Sequence, residues 1–503
     1  MNGKPIARRE FLRLAGLFGA AAAASACAAP APTAAPTVAP AATTAPEPTA
    51  APVATEAPAA TAALASTEAP ATVAPAAANA TLRYAMWDWY AYAPGVAWND
   101  WNQKEAFPKF KEEQPNVDVS WEPLGDGWES KVLTQMAAGE APDIISTWSP
   151  NLETWAEKDQ LLDLQPLVDA DIPNADDIYI KAAWAQMWDP FKQHRMAMLA
   201  DLDVTSVYVD KKAFSDAGLE TPTLDWDLTR YTDAAQKLTV KDASGNITRW
   251  GGQLRPDYWL GYMYYVEAFG GQVRDEETRM TCLLDGPEAQ AGLEWIRQGM
   301  WELNCFMQSN QGTATGIPNT WTGLLPAGIL AFAERSADQF FALADSMPEG
   351  GWDVCHIPKG PKDRRCMGVP DEWVIYKGVI DRGNKDAAWT FMKFLAGPWY
   401  QSKVVSVAGR IPGLLSEGAK WADALRGLDA RLKPVSLETL VEQVQMGYPV
   451  RGPVFRFQQV AQELINPALD SVFMEGKEPV SIFKEIAPKV TAAQKEALAR
   501  TQS

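Results

Sequence analysis

The fold class is decided by a run of alternating patterns that begins with Thr81-Leu-Arg-Tyr-Ala-Met-Trp87, where apolar and β-favouring residues predict a strand. A helix is predicted next over Phe107-Pro-Lys-Phe-Lys-Glu-Glu-Gln-Pro115, and its second proline ends it. Val117-Asp-Val-Ser-Trp121 then alternates between apolar and polar residues, as a half-buried strand does.

The alternation continues towards the C-terminus. Apolar residues recur with helical spacing between Trp128 and Met136, and Asp143-Ile-Ile145 predicts a short buried strand. Strands that alternate with helices favour a parallel sheet covered by helices on both faces. The predicted fold class is therefore α/β.

The first 27 residues have the pattern of an export signal. A basic head with Arg8 and Arg9 precedes an apolar run over residues 14–26, which is too short for a conventional membrane span. The paired arginines, followed by Phe11 and Leu12, resemble a twin-arginine signal, whose route carries folded proteins. A general secretory signal is the alternative.

Lipid attachment is predicted at Cys27, because Ala24-Ser25-Ala26-Cys27 resembles a bacterial lipobox. Signal cleavage at the same bond, leaving a soluble protein, is the alternative. Residues 28–80 favour the anchor: 44 of these 53 residues are Ala, Pro or Thr and none is Lys or Arg, so a disordered, extended tether is expected. We therefore expect an exported protein, lipid-anchored at the outer face of the cytoplasmic membrane.

The composition argues against several functions. With 63 Asp and Glu against 45 Lys and Arg, the formal net charge is -18, which disfavours nucleic acid as a partner. The two histidines, His194 and His356, lie far apart in the sequence, so we expect no metal, no cofactor and no histidine-based catalytic triad. All 21 tryptophans lie after residue 80, and we interpret this enrichment as a sign of ligand binding.

Seven blocks of the chain occur in the order typical of one family. They are Gly139-Glu-Ala-Pro-Asp-Ile-Ile145 with Leu161-Leu-Asp-Leu164, Tyr208-Val-Asp-Lys211 to Leu219 with Pro222 and Trp226, Lys237-Leu-Thr239, Phe269-Gly-Gly271, Gly351-Trp-Asp-Val354 with Pro358-Lys-Gly-Pro361, Ala387 to Leu395, and Gly409-Arg-Ile-Pro412. Together they resemble the extracellular solute-binding proteins of ABC importers, the group that includes maltose-binding protein.

The resemblance implies a two-lobed periplasmic-binding-protein-like fold with a hinge and a ligand cleft between the lobes. One lobe would hold residues 81–203 and 359–410, and the other residues 204–358 and 411–503. The implied function is to capture a sugar or oligosaccharide and to deliver it to the permease subunits of an ABC transporter. We expect a monomer that is not an enzyme.

Candidate binding residues follow the predicted strands, because ligand sites in open α/β sheets form beyond the carboxyl ends of strands. A sugar site needs flat aromatic faces and carboxylates that accept hydroxyl hydrogens. In the first lobe the candidates are Trp89, Trp148 with Asn151, and Asp203, which we favour over Asp201 two residues earlier. Core packing is the alternative for the tryptophans, and exposure to solvent is the alternative for the aspartates.

Further candidates come from later segments. Tyr258 and Trp259 are expected to stack on the ligand, with a helix face as the alternative. The charged or aromatic groups beside the remaining predicted strands and turns are Glu334, Asp371, Glu372, Trp373 and Arg410. Surface ion pairing is the alternative for the charged members of this set.

Other functions and ligands stay open. A polyol, glycerol phosphate or a compatible solute would suit the same fold, but an anionic ligand would need several cationic side chains and the candidate loops are acidic. A secreted glycoside hydrolase would use two carboxylates, yet neighbours such as Asp371 and Glu372 face opposite ways. An adhesive surface lipoprotein would lack a mobile cleft.

Four cysteines follow the tether: Cys282, Cys305, Cys355 and Cys366. Export permits disulfides, and Cys355 and Cys366 flank a turn-forming segment that could bring them together. Free buried thiols are an equal alternative.

Overall fold

The computed structural model describes residues 79–87, 97–125, 127–256, 261–308, 321–335, 340–446, 449–450 and 455–501. Its strands are β1 (Ala80–Trp87), β2 (Val117–Leu124), β3 (Ile144–Trp148), β4 (Trp188–Asp189), β5 (His194–Arg195), β6 (Met198–Val204), β7 (Ser206–Asp210), β8 (Val240–Lys241), β9 (Ile247–Arg249), β10 (Gly252–Gln253), β11 (Phe306–Met307), β12 (Phe332–Arg335), β13 (Trp352–Cys355), β14 (Cys366–Ile375), β15 (Ile411–Pro412) and β16 (Pro449–Val450).

Helices are interspersed with these strands, singly or in groups, through the described residues. They are α1 (Trp98–Trp101), α2 (Phe107–Glu113), α3 (Trp128–Ala137), α4 (Ser149–Glu157), α5 (Gln165–Asp171), α6 (Ala175–Ile178), α7 (Lys181–Trp184), α8 (Lys211–Asp216), α9 (Leu228–Leu238), α10 (Met263–Ala268), α11 (Pro287–Arg297), α12 (Trp321–Leu324), α13 (Phe340–Ser346), α14 (Lys385–Ala396), α15 (Pro398–Ser406), α16 (Leu415–Gly418), α17 (Trp421–Leu428), α18 (Glu438–Gln445), α19 (Gln458–Leu469) and α20 (Phe483–Thr501). The α/β fold class predicted from the sequence is confirmed.

The first lobe is built on a seven-stranded sheet. Its strand order is β15-β6-β14-β3-β1-β2, and β16 also pairs with β14. Strand β1 is parallel to β2 and β3, as the sequence predicted, but β14 is antiparallel to both β3 and β6. The expectation of a fully parallel sheet is therefore wrong, because β14 enters the sheet from the opposite direction after the chain has passed through the second lobe.

The second lobe is built on a three-stranded antiparallel sheet of order β12-β7-β13. Strands β10 and β11 form a separate parallel pair, and the Phe332 N–H of β12 donates to the Gly251 carbonyl beside that pair at 3.0 Å. Strand β15 lies in the first lobe's sheet, so residues 411–412 pack with that lobe.

Two short segments carry the chain between the lobes near the centre of the fold. Thr205 alone separates β6 of the first lobe from β7 of the second, and residues 356–365 lead from β13 back to β14. Gln443 of α18 joins both segments: its side-chain oxygen accepts the Ile357 N–H at 2.8 Å and its nitrogen donates to the Thr205 carbonyl at 3.1 Å. We call these three residues the crossing clamp.

The sequence explains the packing of central elements. Strand β6 has apolar residues at every position except Asp201 and Asp203 and is buried along almost its whole length, as expected for a central strand covered on both faces. Helix α9 begins at the cap Asp227, whose side chain accepts the Arg230 N–H, and it buries the stripe Leu228, Tyr231, Ala235 and Leu238.

Much of the tryptophan enrichment belongs to the core. The indoles of Trp98, Trp128, Trp155, Trp226, Trp352 and Trp421 are at most 2% exposed. Tryptophan content is therefore largely a packing property of this protein, which weakens its value as a sign of ligand binding. Among the described residues, none of the helices combines the length and apolar character needed to span a bilayer.

Candidate functional site

One row of residues crosses the first sheet where the candidate side chains concentrate. Trp148 of β3 lies opposite Asp371 of β14, Asp371 lies opposite Asp201 of β6, and Asp201 lies opposite Pro412 of β15. Residues opposite each other on adjacent strands project from the same face of a sheet. The fold thus brings together residues that are more than 200 positions apart in sequence.

Arg410 joins two carboxylates of this row. Its guanidinium donates to Asp201 at 2.9 Å and also binds Asp371. The Asp201 side chain is 0% exposed, whereas Arg410 and Asp371 are 11% and 16% exposed, so two members of the group retain access to solvent. We refer to Trp148, Asp201, Asp203, Asp371 and Arg410 as the acidic–indole cluster.

The carboxylates of the cluster are electrostatically strained. Burial, followed by the charge of Asp201, holds the pKa of Asp371 well above its ordinary value, and Arg410 only partly offsets this. Burial likewise raises the pKa of Asp201. Asp203 lies two residues along β6, on the same face and half-buried, and adds further negative charge. The Arg410 guanidinium therefore binds two carboxyls, and a third lies close enough to raise the pKa of Asp201.

The end of β3 positions Trp148, the aromatic residue of the cluster. Trp148 is the last residue of that strand and is half-buried. Helix α4 starts at the next residue, and the Asn151 amide turns back to donate to the Thr147 hydroxyl at 3.2 Å. The strand end and the first turn of α4 thus hold one indole and one amide beside the carboxylates of β14.

Three candidates lie in the protein interior instead. Trp373 is 3% exposed, and its indole nitrogen donates to the Tyr84 hydroxyl at 3.0 Å. Glu372 is fully buried. The sequence placed both before a strand at residues 374–376, but β14 already begins at Cys366, so they are interior strand residues and do not face solvent.

Glu334 is also an interior carboxylate. It lies within β12, not beyond it, and is 4% exposed. Its oxygens accept hydrogen bonds from the hydroxyls of Tyr231 at 2.6 Å, Tyr264 at 2.5 Å and Tyr265. Three phenols thus satisfy this carboxyl group in the interior of the second lobe.

The remaining candidates fall outside the described residues. They are Trp89, Tyr258, Trp259 and Cys27, the residue at which the sequence predicts lipid attachment. The cysteines Cys282, Cys305, Cys355 and Cys366 are all buried free thiols. No group of three or more potential metal ligands occurs in the part of the chain that the structure describes.

Two ion pairs between the lobes were not predicted from the sequence. Glu153 of α4 forms a 2.8 Å ion pair with Arg279 of the second lobe, and Glu157, one turn later, pairs with Arg456. The available sign was the i, i+4 spacing of the two glutamates, which places them on one helix face. Their partners come from loops that carry no recognisable pattern.

A separate cavity of about 510 Å³ lies between residues 267–289 of the second lobe and residues 362–365 of the segment that leads back to β14. Its wall includes Glu267, Arg274 and Arg365, and no member of the acidic–indole cluster. Burial is the main cause that raises the pKa of Glu267 to about 7, with Arg365 opposing it. The cavity is thus chemically distinct from the site described above.

The sequence of this chain matches the profile of one protein family. The profile described as bacterial extracellular solute-binding protein matches residues 95–402, which is more than half of the chain. A search of curated proteins gives no significant match.

Solved structures share the fold over nearly their whole length. An ABC substrate-binding protein from Listeria monocytogenes, in complex with cycloalternan, has a TM-score of 0.66 and 19% identity, covering 84% of this chain and 99% of that chain. The sugar-binding protein MalE from Xanthomonas citri has a TM-score of 0.65 and 15% identity, with coverage of 84% and 99%. Maltose-bound T. maritima MalE3 has a TM-score of 0.62 and 17% identity, with coverage of 83% and 100%. At such identities the likeness shows the two-lobed fold alone.

Proposed function

The chain belongs to the bacterial extracellular solute-binding proteins, and from this premise we propose that it captures a sugar or oligosaccharide and delivers it to the permease of an ABC transporter. The ligand leaves chemically unchanged. The observation that carries the proposal is the acidic–indole cluster, where Trp148 stands opposite Asp371 and Arg410 binds both Asp371 and Asp201.

The chemistry of this cluster fits a neutral polyhydroxyl ligand. A half-buried indole offers a flat apolar face for the C–H surface of a sugar ring. Carboxylates accept hydroxyl hydrogens, and such charge-assisted bonds contribute about 1.5–3 kcal/mol each. The structural neighbours in complex with cycloalternan, maltose and mannotriose support a carbohydrate for this chain.

The same cluster disfavours an anionic ligand. Its one guanidinium is already engaged by Asp201 and Asp371, while Asp203 adds a further carboxyl. A phosphate ester would meet repulsion from these groups in a site of low dielectric. A neutral sugar is therefore preferred over glycerol phosphate.

We assign ligand contacts to the accessible members of the cluster, Trp148, Asp203, Asp371 and Arg410, together with Asn151 on α4. Trp89, Tyr258 and Trp259 remain proposed stacking residues on the strength of their sequence positions. Attachment of the exported protein to the outer face of the membrane through Cys27 is likewise part of the proposal.

The test is a thermal-shift titration of the full chain with glucose, maltose, mannotriose, glycerol 3-phosphate and glycine betaine. A ligand that binds only the folded state raises the melting temperature in a saturable way. We expect a saturable shift with at least one sugar, and chromatography of the recovered sugar should show it intact. A shift with glycerol 3-phosphate or glycine betaine alone would contradict the carbohydrate assignment, and released smaller sugars would contradict the absence of catalysis.

A further inference from the structure

The two lobes meet through ion pairs that lie outside the segments crossing between them. On the first lobe, Glu153 and Glu157 stand one turn apart on α4. On the second lobe, their partners are Arg279, in the loop between α10 and α11, and Arg456, just before α19. Four charged residues thus form two bridges from one helix to the opposite lobe.

The Glu153–Arg279 bridge is shielded from solvent. The two side chains are 7% and 6% exposed, and Arg279 Nη1 lies 2.8 Å from Glu153 Oε1. Such a pair is weakly screened by salt, and removing one partner leaves a buried charge uncompensated. Its contribution therefore depends on both lobes being in contact.

The Glu157–Arg456 bridge is two-pronged. Two guanidinium nitrogens of Arg456 donate to the two Glu157 oxygens at 3.1 and 3.2 Å. This fork geometry fixes the relative orientation of the two side chains as well as their distance. The Arg456 and Glu157 side chains are 21% and 17% exposed, so this bridge is the more solvent-accessible of the two.

An aromatic ring lies beneath both guanidinium groups. Phe191, in the first-lobe hairpin between β4 and β5, has the Arg279 guanidinium carbon 5.5 Å from its ring centroid and that of Arg456 at 4.8 Å. Cation–π attraction adds to the ion pairs and keeps water from the buried side. One ring therefore couples the two bridges.

The second-lobe loop over residues 275–281 is held in a fixed conformation by its own hydrogen bonds. Arg279 has φ of 55°, a left-handed backbone conformation that is unfavourable for a residue with a side chain. The Asp275 carboxylate stabilises the loop by accepting the N–H groups of Thr278 and Thr281. The Arg456 N–H donates to the Arg279 carbonyl at 2.9 Å, which ties both arginines into one unit.

We propose that Glu153, Glu157, Arg279, Arg456 and Phe191 form a closure latch, which holds the lobes together and positions α4 over the bound ligand. The same helix follows directly on Trp148 and carries Asn151, so a proposed ligand contact and the latch contacts lie on one helix. The proposal rests on the proposed function only in placing a ligand beside the first turn of α4; the latch itself requires no ligand.

Hydrogen–deuterium exchange of the unliganded full chain tests the latch. In Glu153→Gln we expect amides of residues 275–282 and 149–157 to exchange about tenfold faster, because loss of one charge favours separation of the lobes. The combined change Glu153→Arg with Arg279→Glu should return exchange towards the wild-type rate. Glu438→Gln is the matched control, since Glu438 pairs with Arg426 inside the second lobe and should leave both segments unchanged.

The milder variant Arg456→Gln keeps the test decisive if Glu153→Gln does not fold. It breaks the more exposed bridge and should accelerate exchange in the same two segments. Unchanged exchange at both segments in Arg456→Gln and Glu153→Gln would overturn the latch. Faster exchange in a protein that binds no sugar would support the latch and count against the proposed function, so the two failures are distinguishable.

Discussion

Arg410 donates to the fully buried carboxylate of Asp201 at 2.9 Å, across an interval of 209 positions in the sequence. The pair lies under the proposed ligand site, and Arg410 also reaches Asp371. Burial of a carboxylate is costly unless a positive charge, a proton or hydrogen-bond donors compensate it, and for Asp201 the compensating group is Arg410. Stability and ligand binding are therefore linked at this one guanidinium.

Arg410→Gln should lower the free energy of unfolding by about 3–5 kcal/mol at neutral pH, because Asp201 loses its counter-charge. Urea denaturation measures the change. The double variant Arg410→Gln with Asp201→Asn should recover part of the loss, since no uncompensated charge remains. A single variant as stable as the wild type would show that the pair contributes nothing.

Trp148→Ala should weaken sugar binding about tenfold or more, because a stacking surface is removed from the site. Its effect on stability should be modest, since the side chain is only half-buried. The control is Trp373→Phe, which removes the bond to Tyr84 and should lower stability by about 1 kcal/mol with little effect on affinity. Isothermal titration calorimetry measures the affinity of both variants. Equal losses of affinity in Trp148→Ala and Trp373→Phe would show that Trp148 does not contact the ligand.

Glu267 should make stability depend on pH. Its pKa is about 7 in the folded protein, above the ordinary value of 4.5, because of burial. Below pH 4.5 the Glu267 carboxyl is protonated in both the folded and the unfolded state, so it does not change the free energy of unfolding. Between pH 4.5 and 7 this carboxyl ionises only in the unfolded chain. The free energy of unfolding therefore falls as pH rises, by up to about 3 kcal/mol.

The matching variant is Glu267→Gln, whose stability should fall less than that of the wild type over that pH interval, because the other carboxyls are unchanged. Denaturation curves at several pH values make the comparison, with the exposed carboxyl variant Glu485→Gln as the control. Parallel pH profiles for the wild type and Glu267→Gln would mean that this carboxyl titrates normally.

Gln443→Ala should loosen the crossing clamp. The buried Ile357 N–H and Thr205 carbonyl would lose their partner, at about 1–3 kcal/mol for each group. Gln445→Ala, at an exposed position of the same helix, is the control and should change little. Hydrogen exchange at residues 205–207 and 356–358 reports the effect directly, and equal protection in both variants would argue that the clamp is dispensable.

Cys27→Ser should release the protein from the membrane fraction, because the lipid anchor is proposed to attach at that thiol. Fractionation of cells that express the wild type and the variant measures this. An unchanged membrane fraction would favour cleavage without lipidation.

Local sequence patterns predicted the strands of the first sheet well. Thr81–Trp87, Val117–Trp121 and Asp143–Ile145 all coincide with strands, because alternation and apolar runs are properties of neighbouring residues. The direction of β14 was not predictable in this way. Its partners β3 and β6 lie some 170 to 230 positions earlier in the chain, and nothing local records the direction of a strand's neighbour.

Only part of the site was predictable, because the sequence shows which side chains could bind a sugar but not which of them the fold buries. Asp203, Asp371, Arg410 and Trp148 have side chains suited to sugar binding, and that suitability is a property of the residue itself. Trp373 and Glu334 have equally suitable side chains, yet the fold buries them against Tyr84 and against three tyrosines of the second lobe.

By itself, then, the amino-acid sequence determined the fold class and predicted an export signal, a tether and the chemical character of the site, since each depends on composition or on short-range order. Tertiary structure alone decided that Arg410 binds Asp201, that Trp148 is half-buried while Trp373 is buried, and that Glu153 meets Arg279 of the other lobe. These contacts join residues between 126 and 289 positions apart or depend on burial, and only chain folding brings such residues together.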